Sequence, residues 1–363
     1  MAEGKFVRVN DTICPVVGEY ARVNDAIVPI NTNVARVNDA LVQVGVGLVK
    51  LFVTEQVSDR LYGIDDDEAN LDGWPVYGSG KYADPSDVAC DADGNSYWAC
   101  DAHVYKIAED GTETWDYSGF GYPVLSICVD ADGYVYAGDY AGVVKCFNGN
   151  LSPGDPGFEV WSTSIGVGTC NCLAIDYSEG RLYAGFSFGA QGRVYRIVSS
   201  NGNAAVAFTT STTHGEVLGL GIDEDTPSLY LGTSNGYVLK ASTAGYYYWG
   251  SGSPRGGEIN CVRVGHGGYG YCVRGSERYV EKFALNDGSN EWSIRPAAGP
   301  VARSVAVDQF GHVWATFQVA GSSAHNKVRR YNSAGVEQWD WQPYLTAQMY
   351  GMAVKPGIKA AGF

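Results

Sequence analysis

Pro85-Ser-Asp-Val-Ala-Cys-Asp91-Ala-Asp-Gly94-Asn-Ser-Tyr97 decides the fold, because the same order of residue types returns along the chain. It returns as Pro123-Val-Leu-Ser-Ile-Cys-Val-Asp130-Ala-Asp-Gly133-Tyr-Val-Tyr136 and as Val301-Ala-Arg-Ser-Val-Ala-Val-Asp308-Gln-Phe-Gly311-His-Val-Trp314. Each copy is an apolar run, an Asp, a Gly turn and an aromatic run, which reads as two strands joined by a tight turn. The residues closing the apolar run fall at Asp91, Asp130, Asp176, Asp223, Gly265, Asp308 and Lys355, about 44 residues apart. Units of that length hold four short strands, and a series of them predicts an all-β chain folded as a β-propeller.

Working outward from the motif, a third run follows, such as His103-Val-Tyr-Lys-Ile107 or Gly142-Val-Val-Lys-Cys146, and then a turn ending in a large aromatic. The turn and ring recur as Asp110-Gly-Thr-Glu-Thr-Trp115, Gly157-Phe-Glu-Val-Trp161, Gly245-Tyr-Tyr-Tyr-Trp249, Asp287-Gly-Ser-Asn-Glu-Trp292 and Gly335-Val-Glu-Gln-Trp339, with Phe208 in the third unit. A flat ring at one fixed place per unit suits packing between adjacent sheets and requires no ligand. The seventh inner strand, near Gly351-Met-Ala-Val354, has almost no chain after it. Its outer strands are sought at the other end, in Val49–Val53, Arg60–Ile64 and Trp74–Tyr77. Pairing across the two ends would remove the free edges of an open array. The expectation is therefore seven blades over residues 47–363. Six blades would make one of the weaker units, the Gly265 unit being the poorest, an insertion.

The Pro-x-x-Val-Ala-x-Asp-x-x-Gly-x-x-Tyr pattern resembles NHL-type repeats. The turn-plus-Trp ending resembles the propellers of quinoproteins and of outer-membrane assembly lipoproteins. The resemblance spans about six-sevenths of the chain. It implies a repeat class and no particular activity.

Residues 1–46 carry a second repeat with a period of 14: Phe6-Val-Arg8-Val-Asn10-Asp11, Tyr20-Ala-Arg22-Val-Asn24-Asp25 and Val34-Ala-Arg36-Val-Asn38-Asp39, each followed by a short β-rich run. Asn-Asp between two such runs predicts a two-residue hairpin turn, so three equivalent hairpins are expected. An isolated hairpin is marginal in water, and so small a module buries little. One reading is a β-cap on the propeller. The other is a docking module that meets a partner through Arg8, Asn10, Asp11, Arg22, Asn24, Asp25, Arg36, Asn38 and Asp39. Short repeated leaders ahead of a β-rich body resemble those of bacteriophage virion proteins.

Composition narrows the chemistry. The formal net charge of −15 and the scattered Lys and Arg exclude a phosphate-tracking surface for nucleic acid. No run approaches the roughly 18 apolar residues of a membrane helix, and no charged-then-apolar leader opens the sequence. The nine cysteines fall mostly in expected strands (Cys90, Cys128, Cys146, Cys261 and Cys272 among them) and read as buried apolar residues in a reducing compartment. Cys170-Asn-Cys172 lacks the second pair a zinc knuckle needs. Asp91-Ala-Asp93-Gly94-Asn95 and Asp130-Ala-Asp132-Gly133 resemble the start of a calcium loop but lack its closing Glu, and read as turns. Asp65-Asp66-Asp67-Glu68 reads as a solvated loop.

The five histidines do not converge; His214 alone, just before an inner strand, is expected near the channel. No P-loop, dinucleotide fingerprint, Gly-x-Ser-x-Gly or sialidase Asp-box is present. These observations lead to a non-enzymatic structural or recognition component with no cofactor and no metal. The expected setting is a bacteriophage virion, assembled in the host cytoplasm. Residues 1–46 would meet other virion proteins, and the propeller face would be open to a host-surface glycan or protein. The alternatives are a cytoplasmic protein-interaction scaffold and an NHL- or quinone-type propeller enzyme.

Overall fold

In the computed structural model the alternating apolar runs become a ring of seven four-stranded antiparallel sheets, each strand hydrogen-bonded to its neighbour. The structure describes residues 50–55, 59–64, 71, 73–77, 81–166, 168–176, 178–251, 256–265, 267–275, 279–295, 301–308, 311–318, 327–341 and 349–354, and the backbone of strands within 6–43. No helix is found among them. Blade 1 runs from the inner strand Pro85–Cys90 through Ser96–Cys100 and His103–Ile107 to the outer strand Glu113–Tyr117. The inner strands of blades 2 to 6 are Val124–Val129, Cys170–Asp176, Val217–Asp223, Ile259–Val264 and Val301–Val307. The Gly265 unit is thus a complete blade, and the count is seven.

Blade 7 is composite. Met349–Val354 pairs antiparallel with Leu51–Glu55, which is followed by Arg60–Ile64 and Val76–Tyr77. Joining the last strand to the first ones completes the seventh blade and closes the ring, so that no open end of the array remains.

The core lies in the seams between blades. Tyr97 and Trp115 of blade 1 pack with Val135, Phe147 and Phe158 of blade 2 in one buried cluster. Three of the tryptophans expected as packing rings are also hydrogen-bond donors across a seam, whereas the indole nitrogens of Trp115 and Trp249 are buried without such a bond. Trp161 Nε1 reaches Ser199 O of the next blade at 2.6 Å, Trp74 reaches Glu109 O at 3.1 Å, and Trp292 reaches Ser333 O at 3.2 Å. The next blade offers a glycine as the seat. Gly202 has φ +72°, and a Cβ there would come within 2.8 Å of the Trp161 ring, so both backbone and space require glycine.

The Asp of the repeat motif has a local task. Asp130 Oδ1 accepts from Asp132 N (3.0 Å) and Tyr134 N (2.8 Å), while Oδ2 accepts from Tyr136 OH at 2.8 Å. Asp91 does the same for Asn95 and Tyr97, and Asp308 for His312 and Trp314. Both carboxylate oxygens are used to close the turn and fix the aromatic strand. This accounts for the Asp-to-aromatic spacing without a metal.

In the N-terminal repeats, Phe6–Val9 pairs with Thr12–Val17, Tyr20–Val23 with Ala26–Pro29, and Val34–Val37 with Ala40–Gln43. The closing pairs Val9↔Thr12, Val23↔Ala26 and Val37↔Ala40 leave two residues between strands in every copy, as the sequence spacing requires. The three copies differ in association. The first two hairpins join through Val16↔Ala21 and Val17↔Tyr20 into one four-stranded sheet, and the third forms a separate two-stranded one. Asn10, Asp11, Asn24, Asp25, Asn38 and Asp39, and the side chains of Arg8, Arg22 and Arg36, lie outside the described residues.

Candidate functional site in the axial channel

Every inner strand slips its register near its start. The slips fall between Pro85 and Asp87, Val124 and Ser126, Cys170 and Cys172, Val217 and Gly219, Ile259 and Cys261, Ala302 and Ser304, and Met349 and Met352. A bulge re-aims the residue it skips. In blades 1 to 6 those residues are Ser86, Leu125, Asn171, Leu218, Asn260 and Arg303, and all six line one cavity of about 210 Å³ at the mouth of the channel. No single strand announces this ring in the sequence; it appears only when the blades are superposed.

Several of these side chains tie one blade to the next. Ser86 Oγ donates to Val124 O at 2.5 Å, and Asn171 Nδ2 donates to Val217 O at 2.8 Å. Asp87, one residue deeper, accepts from Val88 N at 2.9 Å and from Ile127 N of blade 2 at 3.1 Å. Burial pushes its carboxyl up to about 6, against the opposing pull of Arg263 and of those two amides.

Arg263 breaks the pattern of the channel wall. Its equivalents, three residues beyond each bulge, are Ala89, Cys128, Ala174, Gly221 and Ala306 in the neighbouring blades. Its one hydrogen bond among the described residues runs from Nη1 to Val262 O, at 3.1 Å. The nearby Cys261 sulfur, then Asp87, hold its pKa above the ordinary value in spite of burial. Cys128 and Cys172 are pushed well up by burial and stay thiols. The cysteines read as buried apolar residues are therefore partly channel lining, with Cys172 and Cys261 on the cavity wall.

His214 is not in the channel. Its imidazole packs edge-on to Tyr237 at 4.9 Å and stacks near Tyr247 of the outer strand at 6.3 Å, and its Nδ1 lies 3.0 Å from Ser211 Oγ. The turn at Ser211–Gly215 carries it outward before the inner strand begins. His312 is held by Asp308, and His103 stacks on Tyr105. His266 and His325 lie outside the described residues, as does the Asp65–Glu68 run. Among the described residues, no group of three or more His, Cys, Asp or Glu is placed to hold a metal ion.

A second feature lies on blade 4. Tyr246, Tyr247 and Tyr248 are 73%, 49% and 57% exposed. A groove of about 610 Å³ runs beside them, lined by Tyr246, Tyr248, Trp249, Lys240 and Asn286 of blade 5. Tyr248 is the residue skipped at the outer-strand bulge between Tyr247 and Trp249, where other blades carry Thr114, Val160 or Glu291. The lysines of the third strand, unremarked in the sequence reading, reach across seams. Lys240 Nζ donates to Leu285 O at 3.0 Å, Lys106 to Gly149 O at 2.8 Å, and Lys282 to Ser333 O at 3.1 Å.

No protein-family model matches the chain, and no curated protein matches it in sequence. In fold it resembles many solved chains. One, in a crystal structure of a mitotic checkpoint complex, superposes with a TM-score of 0.60 at 14% identity, covering 74% of this chain and 83% of that one. Another, the Cps50 (Swd1) β-propeller domain of Myceliophteria thermophila, gives 0.62 at 11% identity, covering 74% of this chain and 89% of that one. The likeness supports the propeller fold, and the NHL and quinoprotein resemblance remains one of local pattern. At such identities the likeness is one of fold.

Proposed function

We propose that this chain is a non-enzymatic protein-interaction propeller, a rigid ring on which partners assemble. One observation carries the reading. The ring closes end to end and packs its own seams, yet three consecutive tyrosines stay exposed on blade 4 beside a groove. Tyrosine supplies large contact area at small entropic cost and is enriched where binding energy concentrates. The solved chain from a mitotic checkpoint complex supports the same reading, since it is a propeller working inside a protein assembly. The test is capture with the full-length protein as bait, against the double variant Tyr246→Ser and Tyr248→Ser. A stoichiometric partner that the wild type retains and the variant loses is expected. A partner held equally by both would remove blade 4 from the interface, and turnover of a substrate in the channel would overturn the non-enzymatic reading.

The finer reading makes residues 1–46 the attachment element and a bacteriophage particle the assembly. It rests on three 14-residue repeats whose strand pairing recurs in each copy, because hairpins of this size gain most by adding to a partner's strands. Such a component would be made in the host cytoplasm and carried in the virion. A protein starting at Val46 should keep its fold and fail to join purified particles, as followed by mass spectrometry. Incorporation of the shortened chain would sink the attachment role. Absence of the full-length chain from particles would leave the cytoplasmic scaffold as the setting.

A further inference from the structure

The channel of a repeat protein contains its own control, because each blade shows what the fold needs at a given position. Three residues beyond the bulge the fold needs only a small side chain, as Ala89, Ala174, Gly221 and Ala306 demonstrate. Arg263 stands there instead, and packing gives no reason for a guanidinium. It is half-buried in the channel wall, and nearby Asp87 favours its charged form. Of its five N–H donors, one is used by Val262 O among the described residues. At the mouth ring the same comparison singles out Arg303, where other blades place Ser86, Leu125, Asn171, Leu218 or Asn260.

Both arginines line the 210 Å³ cavity, which holds one acidic side chain, Asp87, among its described lining residues. The two Asp87 oxygens already accept from the Val88 and Ile127 amides. A chain with a net charge of −15 thus sets two arginines beside one carboxylate in the wall of a cavity on its axis. We infer that this pocket binds a small oxyanion, of the phosphate or carboxylate class, through the Arg263 guanidinium with Arg303 at the entrance. A planar guanidinium fork matches two oxygens of such a group, and charge-assisted bonds in a cavity that is partly shielded from water are stronger than those at a surface. A cavity of about 210 Å³ has room for a free phosphate or a short mono- or dicarboxylate.

The test uses the full-length protein and thermal unfolding titrated with inorganic phosphate, with malonate, and with chloride at matched ionic strength. Phosphate or malonate should give a saturable rise of about 3 °C that chloride does not reproduce. Arg263→Ala restores the side chain found at the same position in three other blades, so it should fold, with an unfolding temperature equal to or above that of the wild type without anion. Its affinity for the anion should fall by about tenfold or more. Arg303→Ser, copying Ser86, should weaken binding less. A saturable rise that persists in Arg263→Ala places the anion elsewhere and overturns the assignment. So does the absence of a saturable effect from either anion, or binding by an acidic peptide in place of both. A fall in the anion-free stability of Arg263→Ala would show the guanidinium to be a structural plug.

Discussion

At the seams between blades the same contact is made again and again, whereas along the axis each blade contributes something different. A seam sets a large aromatic ring from one outer strand against the next blade, and at Trp161–Ser199 and Trp292–Ser333 the indole also donates to a carbonyl there. The axis presents Asp87, Ser126, Cys172, Gly219, Cys261 and Ser304 at one level, and alanines, Gly221, Cys128 and Arg263 below it. Positions that repeat hold the ring together. Positions that break the repeat are released from that duty and are free to specialise.

The comparison breaks most visibly if a seam residue proves dispensable. Trp161→Ala removes a buried ring and its 2.6 Å hydrogen bond, and should cost about 3–5 kcal/mol in denaturant unfolding. A loss under about 1 kcal/mol would mean that the seams are not what holds the blades.

The axis gives a smaller effect that depends on pH. Burial pushes the Asp87 carboxyl up to about 6 in the folded chain, above the ordinary 3.8 of a free Asp. A carboxyl raised on folding contributes stability below the unfolded pKa and loses it as pH rises through the folded one. Asp87→Asn should therefore be more stable than the wild type by about 2 kcal/mol at pH 8, with the advantage vanishing near pH 3.5. Asn keeps one oxygen for an amide donor. An advantage independent of pH would point to packing and not to charge.

The smallest effect on stability belongs to the exposed blade 4 patch. Tyr248→Ser should change unfolding by less than about 0.5 kcal/mol, because the ring is 57% exposed at a bulge that other blades fill with polar or small residues. Loss of partner capture without loss of stability is the expected combination. A large destabilisation would return this tyrosine to the packing class.

Much of the fold was legible because a propeller repeats. The Asp-to-aromatic spacing is one hydrogen bond, seen in Asp130 and Tyr136, and a contact six residues long shows in a string of letters. The composite blade was legible for a related reason: the seventh inner strand and the strands near residue 50 each read as part of one four-stranded unit, and Met349–Val354 does pair with Leu51–Glu55. His214 was misplaced because a turn at Ser211–Gly215, and not strand order, sets its direction. The equivalence of the three hairpins held for pairing within each copy and failed for pairing between copies, which the repeat does not encode.

By itself the sequence determined the period, the seven inner strands, the end-to-end closure and the aromatic seams, since each is a local pattern repeated at fixed spacing. The tertiary structure alone decided that six bulged residues meet at one mouth and that Arg263 and Asp87 line the same cavity within electrostatic reach of each other. Those residues are separated by whole blades along the chain, and only closure of the ring brings them within reach of one another.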